Sequence, residues 1–88
     1  ISLRQIFPVV TPVLRPGADI VALVKPQFEA GRTEVKKGII RDPAIHSRVL
    51  EEVTAAGAEV GLSRVASTPS PITGQKGNVE FLVHFQPS

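Results

Sequence analysis

The spacing of apolar positions changes along the chain, and each change predicts an element. Leu3, Ile6, Phe7, Val10, Val13 and Leu14 recur at helical spacing behind Ser2, a residue able to cap a helix. Pro8 and Pro12 interrupt that pattern, and an interior proline costs ~3 kcal/mol. Residues 2–14 are therefore expected as a kinked or broken helix, stopped by the turn Arg15-Pro16-Gly17-Ala18. Ile20-Val21-Ala22-Leu23-Val24 then runs apolar without a break and is rich in β-branched residues. Such a run predicts a strand over 19–25 covered on both faces. Pro26 has no N–H to continue a ladder and biases Lys25 away from helix, so the strand ends at the lysine.

Residues 26–41 read as a long charged loop with Gly31 and Gly38 as hinges. Asp42-Pro43 is a helix start, with Asp at the N-cap and Pro in the first helical position. Ile45, Val49, Leu50, Val53 and Ala56 form one apolar stripe, which predicts a helix over 43–60 that Gly57 weakens and Gly61 ends. Residues 62–68 form a weak, polar strand suited to a sheet edge. A Pro/Gly loop over 69–78 follows. Val79, Phe81, Val83 and Phe85 then alternate with Glu80, Leu82, His84 and Gln86, predicting a strand with one apolar face.

Strand, helix, strand, loop, strand describes an α/β sheet with one crossover. A right-handed crossover makes strands 19–25 and 62–68 parallel, and the last strand returns antiparallel. If it lies between the other two, Glu80 lands beside Lys25. Ligands of open α/β sheets gather outside the carboxyl ends of strands, so this pair is a candidate site. The plainer alternatives are a strand-end lysine reaching into water and an ordinary strand-surface carboxylate.

The 88 residues suffice for one small domain, and a hydrophobic content of 42% fits a globular one. There is no Cys, which excludes disulfides and thiolate metal sites. His46 has no second His or carboxylate on its helix face at ligand spacing. There is no Met and the chain opens on Ile1, so a piece of a longer protein is expected. A net charge of +2 permits a polyanionic partner without requiring one. No apolar run has the length of a membrane helix, so no membrane association is expected.

Several ordered segments resemble the TlyA-type, or hemolysin A, family of FtsJ-like ribosomal RNA methyltransferases. They are Val-Lys-Pro-Gln-Phe-Glu-Ala-Gly-Arg at 24–32, Arg-Asp-Pro at 41–43, Ser-Pro-Ile-Thr-Gly at 70–74 and Lys-Gly-Asn-Val-Glu-Phe at 76–81. The opening Ile-Ser-Leu resembles the tail of the family's Asp-x-Ser-Phe-Ile-Ser-Leu segment. The resemblance implies the C-terminal half of a class I, Rossmann-like methyltransferase sheet with an antiparallel last strand. Residues 1–88 would form a partial FtsJ-like domain, without its cofactor-binding half and without the family's N-terminal S4-like RNA-binding domain. It also implies S-adenosylmethionine-dependent 2′-O-methylation of ribosomal RNA in the cytoplasm. Lys25 would match the second lysine of the family's Lys-Asp-Lys-Glu tetrad and Glu80 its glutamate. The other two tetrad members and the cofactor-binding residues would lie upstream of Ile1, so the isolated chain is expected to be inactive.

The chemistry explains these residue types. A ribose hydroxyl must lose its proton as it attacks a sulfonium methyl, and a lysine freed of its own proton can accept or orient it. A carboxylate aligns the amine. Arg32, Lys36, Lys37 and Arg41, with Lys76, would face backbone phosphates of the RNA at the same end of the sheet. Two other readings compete: a cytolysin, as the older family name suggests, and an RNA-binding module without catalysis. A chain cut before Ile1 is also expected to self-associate through strand 19–25, whose apolar edge would lack its upstream partner.

Overall fold

The last strand in sequence is the middle strand of the sheet. The structure is a computed structural model that describes residues 2–31, 35 and 38–88. The strands are β1 (Ile20–Val24), β2 (Leu62–Pro69) and β3 (Phe81–Pro87), in the order β1-β3-β2. β3 is antiparallel to both neighbours, so β1 and β2 run in the same direction. Val24 pairs with Phe81, which brings the end of β1 to the start of β3.

The first helix, α1 (Leu3–Val10), passes through Pro8 and breaks into a single 3-10 turn at Thr11–Val13. Ser2 caps it by accepting from the Arg4 N–H at 3.1 Å. The Phe7 carbonyl at the helix end accepts twice from Thr11, from its backbone N–H and from its hydroxyl at 2.6 Å. The long helix, here α3 (Pro43–Glu59), begins as expected, with Asp42 Oδ1 accepting from the Ala44 N–H at 2.9 Å.

Both α1 and α3 cover the same face of the sheet. Val49 and Val53 of α3, Phe7 of α1, Ala22 and Val24 of β1, and Val83 and Phe85 of β3 form one buried cluster with Leu62. The Phe7 ring meets Phe85 edge-on at 5.2 Å. Gly57 lets α3 approach: a methyl group there would lie 3.0 Å from the Phe85 ring. Its place in the helix therefore reflects packing, beyond the local weakening its flexibility implies.

Three expectations need correction. β1 is covered on one face only among the described residues, leaving Val21 67% and Leu23 41% exposed. An all-apolar run cannot reveal this, because it is equally compatible with one covered face or two. Residues 26–29 are not loop but a one-turn helix, α2 (Pro26–Glu29), with Pro26 at its first position. Finally, β3 starts at Phe81, so Val79 and Glu80 precede it. β2 matches its reading as an edge strand: only Leu62 is buried, and the register shifts between Arg64 and Ala66.

Candidate active site

The end of β1 and the entry to β3 bring two charged side chains together. Lys25 Nζ lies 4.0 Å from Glu80 Oε2. The two differ in exposure: the lysine side chain is 40% exposed, the carboxylate side chain 6%. Glu80 is thus not an ordinary strand-surface carboxylate. Its burial has two local causes. Gly74 lies flat against it, so that a Cβ there would fall 2.6 Å from Glu80 Cδ. Gln27 of α2 also reaches across, its Nε2 donating to Glu80 Oε2 at 2.8 Å. A buried carboxylate needs such partners, because an unpaired one carries a large desolvation cost.

Lys25 faces outward on its other side. Its Nζ is 5.6 Å from the centre of the Phe28 ring, which is itself 60% exposed. Lys25 and Phe28 line an open pocket of about 300 Å³ with Leu3, Ile6, Leu23 and Glu29. Glu29 is a structural member of this wall. Its carboxylate accepts from Ser2 Oγ at 2.6 Å and from the Leu3 N–H at 2.8 Å, closing the N-terminus of α1.

Asn78 fixes the approach to β3. Its Oδ1 accepts from the buried Ile40 N–H at 3.0 Å, and its Nδ2 donates to the Gly38 carbonyl at 2.8 Å. This ties residues 38–40, and Arg41 after them, to the end of the sheet that holds Glu80. Lys76 adopts a left-handed backbone (φ 58°), and its stem passes close over Gly38. Arg41 and Lys76 are both exposed near this end, whereas the expected contacts Arg32, Lys36 and Lys37 lie outside the described residues.

Sequence reasoning missed Gln27, Gly74 and Asn78. Pro26 was the available signal for Gln27, since a proline after an extended residue often opens a helix. His46 behaves as a packing residue: its Nε2 is 3.0 Å from the Ile40 carbonyl and its ring meets Phe81 edge-on. Among the described residues, no three His, Asp or Glu side chains converge as a metal site. No glycine-rich turn joins a strand to a following helix among these residues either. β1 instead runs through Lys25-Pro26 into α2.

The FtsJ-like methyltransferase family model matches residues 1–87. The chain belongs to the FtsJ-like methyltransferase family. It is 54% identical over 85 residues to YqxC of Bacillus subtilis and 42% identical over 86 residues to hemolysin A of Brachyspira hyodysenteriae. It is also 38% identical over 84 residues to the 16S/23S rRNA (cytidine-2′-O)-methyltransferase TlyA of Mycobacterium tuberculosis. These alignments cover 94–97% of the chain but only 30–36% of the relatives, so the chain spans about a third of their length. A hemolysin-named crystal structure from Lactococcus lactis superposes on the whole chain with a TM-score of 0.96 at 46% identity, over 42% of its own length. The Rossmann-like methyltransferase fold is thereby shown for this member, and the hemolysin and methyltransferase names are labels within one family. Among the described residues, no helix is long and apolar enough to cross a membrane.

Proposed function

We propose that this chain is the C-terminal part of an enzyme that transfers a methyl group from S-adenosylmethionine to a ribose 2′-hydroxyl of ribosomal RNA, with Lys25 and Glu80 as its catalytic pair. Residues 1–88 are then a partial methyltransferase domain, whose cofactor is held by residues outside it. The observation that carries the reading is the approach of Lys25 to the buried Glu80 carboxylate at the ligand-binding end of the sheet. The 2′-O specificity in the name of the M. tuberculosis relative supports it.

In this reading the bound cofactor supplies an electrophilic methyl group, and the chain's own residues handle the proton. The Lys25 amine, in its neutral form, accepts the hydrogen bond and then the proton of the ribose hydroxyl as that oxygen becomes nucleophilic. Glu80 is anchored on its buried side and holds the amine in one direction. The outward opening beside Lys25 and Phe28 admits the sugar. Arg41 and Lys76, joined by Arg32, Lys36 and Lys37, contact phosphates flanking the target and make binding salt-dependent. A ribosomal substrate places the enzyme in the cytoplasm.

The test is methyl transfer to ribosomal subunits by the full-length protein. Lys25→Ala should lower kcat by about 100-fold or more, within the range of a lost general base, while RNA affinity stays near that of the parent. Unchanged turnover would remove Lys25 from the chemistry.

A further inference from the structure

We propose that Gln27 is a positioning residue that holds the Glu80 carboxylate for Lys25. This rests on the catalytic pair proposed above, and it adds a residue to it. Glu80 Oε2 has two partners among the described residues, and they differ in kind. The Gln27 amide lies at hydrogen-bond distance, 2.8 Å, whereas the Lys25 ammonium stands off at 4.0 Å. A charge-assisted contact would close to about 2.7–2.9 Å. The short bond, which sets where the oxygen sits, therefore comes from the neutral amide and not from the lysine.

The orientation of the amide follows from chemistry. An ionised carboxylate only accepts, so Gln27 must turn its nitrogen toward Glu80. This leaves the amide oxygen behind: among the described residues, Gln27 Oε1 is buried with no hydrogen-bond partner. A buried orphan acceptor carries a desolvation penalty, which an apolar side chain of the same length would avoid. A glutamine here is costly as packing and useful as a donor. Its place in the chain also suits the role. It sits two residues after Lys25, on the one-turn helix α2 that Pro26 starts, so the backbone carrying the lysine also carries the clamp.

Gly74 lies against the same oxygen. With a Cβ excluded there, the loop backbone and the Gln27 amide both meet Glu80 Oε2. With the amide replaced by a group that cannot donate, Glu80 keeps its burial but loses its fixed direction. Lys25 then loses alignment, while the surface that binds RNA is untouched.

A double-mutant cycle in the full-length enzyme tests this, reading kcat and KM for methyl transfer to ribosomal subunits. Gln27→Met keeps length and shape and removes the donor; kcat should fall about 10-fold with KM for RNA unchanged. Gln27→His, whose ring Nε2–H reaches a similar position, should restore part of the loss. In a Glu80→Gln background, Gln27→Met should cost nothing further, because its effect passes through the carboxylate. Equal losses in both backgrounds, unchanged kcat for Gln27→Met, or failure of both Gln27→Met and Gln27→His to give folded protein by circular dichroism would overturn the proposal. If Glu80→Gln and Lys25→Ala themselves left kcat unchanged, the catalytic pair would fall; if they abolish turnover while Gln27→Met is silent, only the role of Gln27 falls.

Discussion

Asn78→Ala should unfold this domain more readily than its single amide suggests. Asn78 is 2% exposed and serves two strangers in sequence: it accepts from Ile40 N–H and donates to the Gly38 carbonyl. Alanine leaves both without their partner. Ile40 is itself 2% exposed, so its N–H cannot turn to water, and a buried unsatisfied donor costs about 1–3 kcal/mol. The Gly38 carbonyl is less buried, and its lost bond adds about 1 kcal/mol. The sum is about 2–4 kcal/mol. For a domain of 60–100 residues this lowers the thermal midpoint by about 10–25 °C. Thermal unfolding followed by circular dichroism measures it, with Val79→Ala as control. Val79 is the next residue and is 37% exposed, so its truncation should shift the midpoint by less than about 4 °C. If Asn78→Ala unfolded within a few degrees of the parent, segment 38–40 would not be held by this side chain, and the placement of Arg41 beside the site would lose its basis.

Other outcomes follow from single contacts. Gly74→Ala forces a methyl group into Glu80 and should cost about 1–3 kcal/mol in urea unfolding; an unchanged midpoint would show that the loop gives way freely. Asp19 Oδ1 accepts from Gln86 Nε2 and His84 Nε2, each at 2.8 Å, and these bonds hold its carboxyl below the usual range, Gln86 first. Because the folded value is the lower one, the stabilisation is present above the ordinary carboxylate pKa of ~3.9 and is lost as pH falls through the folded value. The gap in thermal midpoint between parent and Asp19→Asn should therefore shrink as pH drops below about 4, and a constant gap would contradict the assignment. β1 lies at the edge of the sheet, with apolar residues along its length. The 88-residue chain should accordingly show a mass that rises with concentration in light scattering, and a strictly monomeric mass would refute edge pairing.

The sequence by itself determined the two main helices and the three strands, within a few residues of their ends. Helical spacing behind Ser2, the Asp42-Pro43 start and the strict alternation before Gln86 are local signals, set by the backbone within a few residues. The antiparallel return of β3 followed from those elements and from connection rules; its place between its neighbours, and with it the meeting of Lys25 and Glu80, was a condition in the sequence that the sheet order β1-β3-β2 meets. The tertiary structure alone decided what surrounds the pair. Gln27 and Glu80 are 53 positions apart, and Asn78 and Ile40 are 38 apart; no local pattern encodes such contacts. Gly57 read only as a weak point in its helix and Gly74 only as part of a Pro/Gly loop, because a sequence shows only the missing side chain. The structure shows what fills the space, the Phe85 ring in one case and the Glu80 carboxylate in the other. The burial of Glu80 belongs to the same class. A charged residue in the polar register of an alternating strand reads as exposed, and packing from α2 and the 74–78 loop withdraws it from water.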